Sequence, residues 1–126
     1  MRVSSLRSMF LLVGILSVSA AASAADAKGP AGDPKAGKAI FENSCLLCHG
    51  STGKGDGPAA AAFNPKPMAF GDAAKMSKIS EETRIKAVTE GGASVGASPL
   101  MPAFKDTLSK QQILDVLAYI RKTFGH

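Results

Sequence analysis

The chain has 126 residues, 45% of them hydrophobic and 20% charged, with a formal net charge of +5. That length suits a single domain with a thin core. The positive balance is partly carried by the extreme N-terminus, so composition gives little support to nucleic-acid binding.

Residues 1–24 read as a secretory signal: Arg2 and Arg7 open it, Met9 to Val18 is apolar, and Ala22-Ser23-Ala24 supplies small residues for cleavage. The apolar run is short for a membrane span, so an uncleaved anchor is the lesser reading. Cleavage after Ala24 takes 24 of the 126 residues and leaves 102; Arg2 and Arg7 go with it, so +5 becomes +3. Residues 25–32, rich in Ala, Gly, Lys and Pro, read as a flexible leader. The remaining 33–126 make one domain.

Asp33 followed by Pro34 predicts a helix start, with Asp33 as cap and Pro34 at the first helical position. Gly37, Phe41, Cys45 and Cys48 step by four, four and three and fall on one helical stripe. A glycine inside a helix costs about 1 kcal/mol relative to Ala, which makes sense at Gly37 if a second helix comes close there. The helix runs into Cys45-Leu46-Leu47-Cys48-His49, the most informative segment of the chain. C-x-x-C-H is the spacing for covalent attachment of a c-type haem: both thiols can form thioethers with the two vinyl groups on one porphyrin edge, and the following imidazole can reach the iron. A redox disulfide would be expected beside a strand–helix unit, and no strand reads nearby. A closed zinc site needs four ligands, against two Cys and two His of which His126 is terminal. A Cys45–Cys48 disulfide would close too small a loop to stabilise much.

Residues 50–76, with Gly50, Gly53, Gly55, Gly57 and Pro58 and then Pro65 and Pro67, read mainly as loop with one helical turn at Ala59 to Ala62. So long an irregular stretch in a small domain fits wrapping around a large flat cofactor. A second helix starts near Ser80, has Glu81 and Glu82 in its first turn, takes its apolar face from Ile85 and Val88, and stops at Gly91. A loop over 92–108 carries Pro99 to Pro102 and Phe104. The last helix is the best specified: a capping box from Ser109 to Gln112, a hydrophobic staple from Leu108 to Ile113, and a buried face of Ile113, Val116, Leu117 and Ile120. Arg121 and Lys122 fall in its last turn, and Gly125 ends it. The class is all-α, with three to four helices and long loops around one haem.

With His49 as one axial ligand, the other candidates are Met68, Met76, Met101 and His126. Methionine is ordinarily a core filler. Met101 stands out because it lies late in a loop held by a helix at each end, and Pro102 restricts it to extended conformations. Met68, nineteen residues past His49, suits packing on the haem rim; Met76 suits the core, and His126 suits solvent. A thioether favours ferrous iron and raises the reduction potential. Closing both axial positions leaves no open site for peroxide or oxygen and points to electron transfer rather than catalysis.

Over 33–124 the chain resembles a small class I c-type cytochrome, His/Met-ligated, with one haem. The resemblance is carried by the pentad, by Ser98-Pro99-Leu100-Met101-Pro102-Ala103-Phe104 as the methionine-ligand loop, and by Ala118-Tyr119-Ile120-Arg121-Lys122 in the C-terminal helix. It implies the cytochrome c fold, with Gly37 and Phe41 crossing the last helix beside Tyr119 and Ile120. It also implies that the carbonyl of Pro58, in Gly55-Asp56-Gly57-Pro58, accepts the other ring N–H of His49 and fixes the imidazole, with Pro65 as the rival acceptor. Trp is absent, so a propionate partner must be Tyr119, a Lys, an Arg or backbone. The resemblance implies an exposed haem edge, with Lys54, Lys66, Lys105 and Lys110 as candidates to ring it.

The expectation is therefore a periplasmic monomer carrying electrons between a donor and an acceptor redox protein in transient complexes. Two propionates bring the charge to about +1, which makes any steering local and salt-sensitive. Two other readings stand beside it: a haem enzyme or gas- or peroxide-responsive protein whose Met is displaced, and a membrane-tethered electron-entry module of a larger redox complex.

Overall fold

The structure is a computed structural model that describes residues 31–125. The signal segment 1–24, residues 25–30 of the leader, and His126 lie outside the described residues. Within them the chain forms five α-helices and no strand.

Helix α1, Pro34–Ser44, starts as its sequence dictates: Asp33 stays extended, Pro34 opens the first turn, and the Asp33 carboxylate accepts the Lys35 amide at 2.8 Å. It stops one residue before the expected pentad. Cys45 is a turn residue at φ −117° and ψ −32°, still in the right-handed region, and its amide still donates to the Phe41 carbonyl. A new turn, α2 (Leu46–His49), follows and ends at Gly50, whose φ is +77°. The stripe from Gly37 to Cys48 thus passes through one turn residue between two helices.

The segment after α2 folds back on it. The amides of Gly55, Gly57 and Ala59 donate to the carbonyls of His49, Cys48 and Leu47 at 2.9, 3.1 and 3.0 Å, which satisfies acceptors that a short helix leaves orphaned. One 3-10 turn occupies Ala60–Ala62, at the place where a helical turn was expected. A further helix, α3 (Ala73–Met76), was not expected; Asp72 caps it by accepting the Lys75 amide.

Helix α4, Glu81–Glu90, is capped by Ser80 and halted by Gly91 at φ +87°. The following loop is tied to it twice, Phe104 donating to Val88 at 3.0 Å and Lys105 to Thr89 at 3.1 Å, and is pinned across itself where Gly92 donates to the Met101 carbonyl at 3.0 Å. A 3-10 turn over Gly92–Val95 gives this loop more order than its composition suggested.

Helix α5, Lys110–Phe124, has both halves of the Ser109/Gln112 capping box and ends at left-handed Gly125. It crosses α1 where Gly37 removes the side chain: a Cβ there would run into the Asp115 carbonyl and come within 2.9 Å of the Tyr119 Cβ. Phe41 sits beside the crossing, its ring 5.3 Å from Tyr119 and 5.6 Å from Phe124. The Asp33 amide donates to the buried Asp115 carboxylate at 2.7 Å, and Gln111 donates to the same oxygen, so the start of α1 is tied to the middle of α5. Ile113, Val116, Leu117 and Ile120 are all buried, with Phe41, Phe70, Met76 and Val88. No described helix is long and apolar enough to cross a membrane.

Candidate functional site

The helices enclose a cavity of about 720 Å³, within the range of about 300–1,000 Å³ that suits a small-molecule or cofactor site. Much of the apolar interior faces it: Phe70, Met76, Val88, Val116, Leu117 and Ile120 all lie on its wall. A core whose buried residues turn toward a shared space has room for a large flat apolar group.

Cys45, Cys48 and His49 share that wall. The break at Cys45 and the four-residue turn after it bring all three side chains to the same cavity. The two thiols are not joined to each other. Burial, with a smaller contribution from Cys48, pushes the Cys45 thiol up to about 11, which keeps it protonated before a thioether forms. Among the described residues no group of three or more His, Cys, Asp or Glu gathers that could hold a metal ion.

His49 is held from two sides. Its Nδ1 lies 3.1 Å from the Met68 carbonyl, and its ring stacks on Phe70 with centroids 4.5 Å apart and planes inclined by 17°. A carbonyl only accepts, so Nδ1 carries the proton and Nε2 keeps its lone pair. Burial holds the imidazole below its ordinary pKa, partly opposed by the Met68 bond. The neutral ring required of a metal ligand is therefore the favoured one.

The acceptor differs from the Pro58 that the resemblance implied. Gly57 and Ala59, on either side of Pro58, are both engaged with α2 carbonyls, and a Cβ on Gly57 would strike the Leu46 and Leu47 carbonyls. That path leaves Pro58 exposed beside α2, while the chain passes the His49 ring ten residues later. Pro65 lies on the cavity wall, but the hydrogen bond goes to Met68.

Of the methionines, Met68, Met76 and Met101 all line the cavity. Met76 is almost wholly buried in the core. Met68 contributes its carbonyl to His49. Met101 reaches the cavity from the loop tied to α4, and the close approach of that loop is made by glycine: a Cβ on Gly92 would meet the Ser98 carbonyl and stand 3.0 Å from the Met101 Cβ.

Lys54 and Lys66 reach the cavity, whereas Lys105 and Lys110 are exposed and away from it. Tyr119 packs on Phe41 and Phe124 and is not on the wall. Sequence reasoning passed over Arg84, which lies on the wall with Arg121. Its signal was available: Arg84 precedes Val88 by four residues on α4, so the two share the inward face.

The cavity fits the group that the pentad calls for. It offers two thiols, an imidazole in the liganding tautomer, a thioether, an apolar lining and two guanidinium groups for carboxylates. Comparison with curated proteins gave no match. The sequence model of the Cytochrome c family matches residues 34–124.

Proposed function

The chain belongs to the cytochrome c family, and from that premise we propose that it is an exported monohaem electron carrier with His49 and Met101 as axial ligands. In this family haem c is bound covalently through a cysteine pair, and Cys45 and Cys48 are that pair here. A cytochrome c domain is typically a haem-based electron carrier. Haem, when bound, supplies an iron that accepts and returns one electron between its ferric and ferrous states.

The protein's own residues set how that exchange proceeds. His49 offers Nε2 because Met68 holds Nδ1, and the Phe70 ring fixes the imidazole plane. Met101 offers a thioether, which favours the ferrous state and raises the potential. The apolar wall keeps water away from the site. Filling both axial positions leaves no vacancy for a small-molecule substrate, and the small net charge suits brief encounters with a donor and an acceptor redox protein rather than one tight complex. Residues 1–24 direct export to the periplasm, where the protein works as a monomer.

The observation that carries this reading is that His49 and Met101 open onto the same apolar cavity. The test is a spectrum and redox titration of the purified exported protein, followed by carbon monoxide added to the reduced form. A low-spin ferrous spectrum that carbon monoxide leaves unchanged at neutral pH agrees with the proposal. Rapid conversion to a carbonyl form would identify a displaceable methionine and defeat it. Mass measurement of the native protein decides between a soluble form lacking residues 1–24 and a tethered one.

A further inference from the structure

Arg84 is the one described residue whose buried side-chain nitrogen has no hydrogen-bond partner: its Nε is enclosed and unpaired. The rest of the group is committed. Nη2 donates to the Met76 carbonyl at 2.7 Å, and Nη1 lies 3.6 Å from Glu81 Oε2. Glu81 also pairs with Arg121 through its other oxygen. The two arginine side chains, only 15% and 25% exposed, therefore flank one carboxylate and both reach the cavity wall. A charged donor that is buried without a partner is costly, and the Arg84 Nε is one. A carboxylate entering from the cavity would relieve it.

We propose that Arg84 binds a haem propionate through Nε, with Arg121 adding positive charge beside it. Haem c brings two carboxylates, and the remaining cations on the wall are poorer partners. Lys54, Lys66 and Lys75 are exposed; Lys66 donates to the Ala60 carbonyl and Lys75 pairs with Asp72. His49 is neutral and engaged with Met68. Among the described residues no Asp or Glu lies on the cavity wall, and Glu81 is held between the two arginines. The propionate on Arg84 then stays ionised well below the ordinary carboxylate range, because the adjacent cation favours its charged form. Arg84 acts as a positioning residue for the cofactor. The inference rests on the haem site and not on the carrier role.

The test follows the propionates themselves in the holoprotein. With haem labelled at its carboxyl carbons, nuclear magnetic resonance of the wild type should show one propionate still ionised as pH falls through the ordinary carboxylate range, about pH 4 to 5. In R84Q that resonance should titrate within the range. The midpoint potential of R84Q should be lower than wild type at neutral pH, since a cation near the iron is lost, and should rise as the freed propionate protonates on acidification. R84K should keep part of the wild-type behaviour. Two freely titrating propionates in the wild type would overturn this proposal alone, whether or not R84Q folds. A colourless wild-type protein would overturn the haem site with it.

Discussion

The Asp115 carbonyl oxygen occupies the space that a Cβ on Gly37 would need. One missing side chain thus sets how close α1 and α5 come, and through Phe41 and Tyr119 it sets the packing behind the cavity. Gly37→Ala should destabilise the holoprotein by about 1–3 kcal/mol, the usual cost of overpacking, because the obstruction is backbone and cannot rotate away. Denaturant unfolding should show a lower midpoint with the Soret band intact in the native state. An unchanged midpoint would mean that the helices separate without cost.

Met101 should govern the iron's electronic properties more than protein stability. Met101→Ala should leave haem attached at Cys45 and Cys48 while lowering the potential by something on the order of 100 mV, as loss of the thioether removes its preference for ferrous iron. The same variant should bind carbon monoxide readily. If both potential and spectrum match wild type, the axial ligand lies elsewhere.

The parts legible in the sequence were those fixed by local chemistry. Ser109 with Gln112, Asp33 with Pro34, and Gly91 each act within a turn, so the bounds of α1, α4 and α5 followed almost residue by residue; the buried face of α5 followed from its period. What escaped depends on where a loop passes in space. The acceptor for His49 fell to Met68 rather than Pro58 because three backbone hydrogen bonds roll residues 55–59 onto the back of α2, and nothing local to Pro58 announces that. The break at Cys45 and the short helix α3 were missed for a related reason: single turns carry too few residues to show a period. Arg84 could have been read from its spacing to Val88, but its unpaired Nε is a property of the packed structure alone.

Acid should weaken the protein through His49. Burial lowers its folded pKa from the ordinary 6.5, so the unfolded chain binds the proton more readily than the native one. Its contribution is complete above about 6.5 and is lost as pH falls toward the lowered native value. Protons also compete with iron for Nε2, in the same direction. Unfolding free energy measured in denaturant should be level just above this window and decline below it. Stability that increased on acidification from neutrality would contradict the assignment of His49 as a neutral, buried ligand.

The loop that carries Met101 should be sensitive to a change that touches neither the haem attachment nor the methionine. A Cβ on Gly92 would meet the Ser98 carbonyl and stand 3.0 Å from the Met101 Cβ, while the Gly92 amide already holds the Met101 carbonyl at 3.0 Å. The loop is therefore pinned and crowded at the same residue. In Gly92→Ala it must lift, and Met101 moves with it. Because the cysteines and His49 lie on other segments, haem content should be unchanged. The expected result is a weakened axial thioether: a potential between those of wild type and Met101→Ala, and carbon monoxide binding slower than in Met101→Ala but measurable. Stability alone cannot mimic that pattern, since loss of packing without ligand displacement would lower the unfolding midpoint and leave the reduced spectrum untouched by carbon monoxide. That second outcome would separate the loop's anchoring from the choice of ligand and show that Met101 does not depend on Gly92 for its position.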